Sequence, residues 1–94
     1  MKQVILYSMK GCPWCIEAKK QLKEQKIKFV NRDIDKYEEE YNLFVELTGN
    51  DYVPAFMIIE TKDDEPIGAK MLVPEKDFDE INEAIEKVKG ILQD

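Results

Sequence analysis

Cys12 and Cys15 are the only cysteines in the chain, and they stand three residues apart in Cys12-Pro13-Trp14-Cys15. Disulfide exchange needs a thiolate that attacks one sulfur and a second thiol within reach that releases the product. A Cys-x-x-Cys spacing supplies both. The motif opens a helix-like stretch, since proline is favoured at a first helical position, and so places Cys12 at a helix N-terminus. Free N–H groups and the positive end of the helix dipole favour a thiolate there. Lys10 adds positive charge nearby, weakened by solvent screening. Cys15 falls one turn further in, on the face that meets the rest of the fold, where it is expected to be less exposed and less ionised. The chemistry implied is attack by Cys12 and resolution by Cys15. Pro13 lacks an N–H and stiffens the turn between them. Trp14 offers a large apolar face on which a substrate can lie, the alternative being a partly buried packing aromatic.

The elements that must hold this pair are readable from periodicity. Val4-Ile5-Leu6-Tyr7 is a continuous apolar run, which predicts a strand buried on both faces that delivers the chain into the cysteines. From Pro13 to about Gln25, Cys15, Ala18 and Leu22 share one helical face. Ile27 to Ile34 predicts a second strand, and Asp33 to Lys36 a helix start. Tyr37, Tyr41, Phe44 and Thr48 recur at helical spacing, with Gly49-Asn50 as the stop. Ala55 to Ile59 predicts a third strand, Thr61 to Glu65 a turn, and Ile67 to Val73 an antiparallel return. Pro74 reads as a helix start, followed by Phe78, Ile81, Ile85, Val88 and Leu92 at steps of three and four. The expected order is β-α-β-α-β-β-α: an α/β fold with a four-stranded mixed sheet flanked by three helices.

Tyr52-Val53-Pro54 stands before the central apolar strand, where proline is normally disfavoured. A cis Val53-Pro54 bond beside the dithiol, leaving the Val53 backbone free to pair with an extended substrate, is one reason for it; an ordinary trans proline opening a strand is the other.

Ninety-four residues suffice for one domain, and none of the runs approaches the roughly 20 apolar residues of a membrane span. Met1 to Tyr7 lacks a long apolar h-region and a small-residue cleavage site, so a cytoplasmic protein is expected, and a monomer. A lone cysteine pair is a poor disulfide scaffold and a good catalytic pair. The net charge of −6 argues against nucleic acid or an anionic membrane as partner. Six lysines lie between Lys10 and Lys28 against Glu17 and Glu24, while acidic residues collect in Asp33 to Glu46 and Asp63 to Glu86. Such runs are solvated faces or partner-steering patches.

Taken together, Cys12-Pro13-Trp14-Cys15 with Ala18 and Leu22, Asp33-Ile34-Asp35, and Thr48-Gly49 followed by Val53-Pro54 resemble the glutaredoxins of the thioredoxin-fold superfamily over nearly the whole chain. The first of these is similar to the family's CPYC helix, with tryptophan for tyrosine. Thioredoxin itself fits less well, for there is no tryptophan before the first cysteine and no Gly-Pro between the two. The resemblance implies glutathione as reducing co-substrate, no permanently bound cofactor, and the Val53 backbone as the contact for its cysteinyl part. Lys10, Pro13, Trp14, Tyr52, Val53, Pro54, Gly68 and Ala69 are then the candidate substrate and glutathione contacts. Three positions depart from the family pattern: Tyr52 replaces a threonine, Gly68-Ala69 followed by Lys70 replaces a Gly-Gly pair followed by an acidic residue, and Lys10 stands two residues before Cys12 instead of three.

The function expected is glutathione-dependent reduction of protein disulfides and glutathione mixed disulfides, with ribonucleotide reductase among the clients the family implies. A glutaredoxin-like protein recharged by thioredoxin reductase is the near alternative. Two cysteines and no histidine fall short of the roughly four ligands of a mononuclear site. The resemblance implies one other metal role, a dimer sharing an iron–sulfur cluster completed by glutathione thiols, as some glutaredoxins form. A non-catalytic interaction module would not need both cysteines.

Overall fold

The computed structural model describes residues 1–93, and its elements follow the expected order: β1 (Lys2–Ser8), α1 (Pro13–Glu24), β2 (Phe29–Asp33), α2 (Glu38–Thr48), β3 (Ala55–Lys62), β4 (Glu65–Leu72) and α3 (Ile81–Gln93). The four strands form one mixed sheet in the order β2-β1-β3-β4. β1 pairs parallel with β2, Tyr7 opposite Arg32, and antiparallel with β3, Tyr7 opposite Ala55 and Lys2 opposite Glu60. β1 is therefore central, and Val4 through Ser8 are buried on both faces.

Each face of the sheet carries its own apolar cluster. On one, Val4, Leu6, Phe56 and Ile58 pack with Ala18 and Leu22 of α1 and with Ile81, Ala84, Ile85 and Val88 of α3. On the other, Ile5, Tyr7 and Ala55 pack with Tyr41 and Phe44 of α2. α2 is further tied to the sheet by the Tyr7 hydroxyl, which donates to Glu40 Oε2 at 2.7 Å, while Arg32 Nη1 lies 3.3 Å from Glu40 Oε1. Burial and then the bond to Glu40 push the Tyr7 phenol above its ordinary range, so it stays a donor.

The connections are set by local backbone chemistry. α1 ends with Lys26 at φ 58, where Ile27 N–H donates to Leu22 C=O at 2.9 Å, a left-handed stop that starts β2 two residues later than Ile27. Asp33 to Tyr37 is a turn rather than the first turn of a helix: Lys36 and Tyr37 N–H both donate to Asp33 C=O, and α2 begins at Glu38. Asp63 and Asp64, both at positive φ, make the two-residue hairpin between β3 and β4.

Pro74 does not start α3. Asp77 Oδ2 accepts the Val73 N–H at 2.9 Å, Asp77 N–H donates to Val73 C=O, and Glu75 N–H donates to Phe78 C=O at 2.8 Å, so residues 74–80 close into a loop and the helix begins at Ile81. Phe78 reaches the core from that loop, edge-on to Phe56 with ring centroids 5.8 Å apart.

Candidate active site

At the C-terminal end of β1 the chain turns through Met9 and Gly11, the latter at φ 75, and Cys12 N–H donates to Met9 C=O at 3.3 Å. Cys12 is the N-cap of α1, and its sulfur accepts the Cys15 N–H at 3.2 Å. Charge that collects on Cys12 Sγ during exchange therefore meets an oriented amide and the positive end of α1. Both thiols are reduced; Cys12 is 7% exposed and Cys15 1%. Burial first, and then the hydrogen bond with Cys12, push the Cys15 thiol from 9.0 up to about 12, against smaller opposing pulls from a backbone hydrogen bond at Met9 and from Lys19. Of the two cysteines, the one at the helix tip is the less buried.

Trp14 is 64% exposed and so lies open rather than packed. The Val53-Pro54 peptide bond is cis, as its place before β3 suggests, and Pro54 is buried. Pro54, Val53, Tyr52 and Trp14 line one open groove of about 380 Å³ with Pro74, Glu75 and Ile81. Among the described residues, the Val53 N–H and C=O pair with no other backbone group. Asn50 fastens the two walls: its Nδ2 donates to Pro74 C=O at 2.8 Å, and its Oδ1 accepts the Tyr52 N–H at 2.9 Å.

Gly68 and Ala69 are not part of this groove. They sit in the middle of β4 opposite Glu60 and Ile59, and line a separate hollow with Lys2, Glu60, Lys70 and Ile91. Their level on the sheet is that of Lys2, five residues down β1 from Tyr7, roughly 17 Å from the cysteine end. The stretch that follows β4 into the groove is instead Val73-Pro74-Glu75, with Glu75 at φ 71. Neither Pro74 nor Glu75 stands out as a site residue by type; the signal that could have found them is their distance along the hairpin. Lys10 lies exposed in the turn before Cys12, outside the groove. One more polar group is missed by sequence reading: the Tyr41 hydroxyl is buried without a hydrogen-bond partner, and its phenol is pushed up by burial, then by Asp51 and Cys15.

A family model for glutaredoxin matches residues 4–61, more than half of the chain. The chain belongs to the glutaredoxin family. Membership makes the protein a thiol–disulfide oxidoreductase, the activity for which its two sulfurs are arranged. No curated protein sequence matched the chain. Among solved structures it resembles a mutant of the thioredoxin-like protein BC3987 (19% identity, TM-score 0.60, 96% of this chain and 99% of that one). It also resembles glutaredoxin 1 from Francisella tularensis, solved with cacodylate (24%, 0.53, 100% of both chains). A third is buckwheat glutaredoxin in complex with glutathione (15%, 0.57, 95% of this chain and 70% of that one). At these identities the structural likeness establishes the thioredoxin-type fold.

Proposed function

We propose that the protein is a cytoplasmic dithiol oxidoreductase that reduces protein disulfides and glutathione mixed disulfides, with glutathione as its reductant. The observation that carries this is the asymmetric pair: Cys12 as the N-cap at the tip of α1, Cys15 more deeply buried one turn behind it with its thiol pushed up to about 12. Cys12 Sγ, as thiolate, attacks one sulfur of the client disulfide; the other sulfur leaves as a thiolate and takes up a proton. Cys15 then loses its proton, attacks Cys12 Sγ and expels the second client thiolate. The client gains two electrons and the protein becomes the Cys12–Cys15 disulfide. Two glutathione molecules return it to the dithiol and leave as glutathione disulfide.

Ribonucleotide reductase is a client the family suggests. Recharging by thioredoxin reductase is the second reading, favoured by the groove itself, where Val73-Pro74-Glu75 and not a Gly-Gly pair follows β4. Both readings are tested by oxidising the protein and following its thiols with glutathione, or with thioredoxin reductase and NADPH. Recovery with glutathione is expected; recovery only with the reductase overturns glutathione dependence. Cys12→Ser should abolish turnover, whereas Cys15→Ser should keep mixed-disulfide reduction and trap protein clients covalently on Cys12. Trapping on Cys15 in the Cys12→Ser protein would reverse the roles.

A further inference from the structure

Trp14, two residues after Cys12, lines one groove with Pro54, and the walls of that groove have a definite chemistry. Trp14 and Tyr52, 64% and 53% exposed, both line it. The unpaired Val53 backbone offers an edge for an extended chain. Glu75 and Asp79 bring carboxylates to the same groove, and on the other flank of Trp14 a second hollow is lined by Glu17 and Glu80. None of the lysines or the arginine lines either hollow among the described residues. Exposed aromatic rings next to carboxylates are complementary to the side chains of lysine and arginine, whose stems lie on apolar surface and whose heads pair with π-faces and carboxylates.

We infer that the groove selects protein disulfides whose cysteine is flanked by lysine or arginine over acidic ones. This rests on the reading of Cys12 as the attacking sulfur and specifies the client it attacks. Glu75 sets the selectivity most directly, because its left-handed backbone and the Glu75 N–H bond to Phe78 C=O hold it at the groove wall. Asp79 stands further along the same groove.

The test uses the pre-reduced protein in single turnover with two synthetic peptide disulfides, identical but for Lys-Cys-Lys or Glu-Cys-Glu at the centre. Each rate is divided by the rate of the same peptide with dithiothreitol, which removes the peptide's own reactivity. The lysine peptide should react about threefold to tenfold faster, the range that two or three exposed charge contacts supply. The ratio should fall toward one in a Glu75→Gln, Asp79→Asn protein. Equal normalised rates, a preference for the glutamate peptide, or a ratio that survives the double substitution would overturn the inference. Reduction of neither peptide, by a protein whose Cys12 still alkylates, would overturn instead the assignment of protein disulfides as clients.

Discussion

Cys15 shows how one buried position holds the proton of a thiol. Its sulfur sits under the first turn of α1, and burial outweighs the pull of Lys19, so the thiol keeps its proton through the neutral range. Iodoacetamide at neutral pH should label Cys12 first, with Cys15 labelled only as pH climbs toward 12; mass spectrometry of the modified peptides gives the order. The same shift makes a stability statement. An unfolded chain ionises Cys15 near 9.0, the folded one near 12, so between those values the unfolded state holds fewer protons and is favoured as pH rises. Below 9 the contribution is complete. Melting temperature should therefore fall more steeply between about pH 9 and pH 12 in the native protein than in Cys15→Ser, and parallel curves would show that the thiol ionises alike in both states.

At the level of elements, the packing of α1 and the fastening of the two groove loops are separable. Leu22, fully buried between α1 and the sheet, should cost about 2–5 kcal/mol when cut to alanine, read from urea denaturation. Asn50→Ala removes the bonds to Pro74 C=O and from Tyr52 N–H, worth about 1–3 kcal/mol together, and should raise KM for a peptide disulfide while Cys12 alkylation stays unchanged. A fall in alkylation rate would mean that the bonds support α1 rather than the groove. In the β3–β4 hairpin, Asp64→Gly should add up to about 1 kcal/mol, because glycine takes the left-handed position without the side-chain penalty and one of two adjacent carboxylates disappears. The parts that were legible in the sequence are those where local chemistry and packing agree: the buried run of β1, Pro13 opening α1, the polar turn of the hairpin. Pro74 and Phe78 were not, since proline suits a loop as well as a helix start and Phe78 keeps helical spacing with Ile81 while entering the core from a loop. The Gly68-Ala69 assignment failed for a related reason. Residue type was matched where position along a hairpin mattered, and the hairpin carries those two residues to the opposite end of the sheet.

Across the whole molecule, charge is sorted around the dithiol. Lys19, Lys23 and Lys28 line a hollow between α1 and β2, and Glu17, Glu75, Asp79 and Glu80 lie on the side facing α3. With a net charge of −6, the protein meets a client as a polarised object rather than a uniform one. Raising ionic strength shortens the Debye length to about 8 Å at physiological salt, so the rate with a lysine-flanked peptide should fall as salt is added while a neutral peptide's rate holds. A rate indifferent to salt would show that the carboxylates stay outside the encounter. Trp14, finally, is the chain's only tryptophan, 64% exposed and two residues from Cys12. Its emission is thus a poor witness of the core and a direct one of the groove: unfolding leaves the indole in water as before, whereas a docked client takes it out of water and shifts its colour. The protein carries its own optical gauge of occupancy, and binding can be titrated without a label.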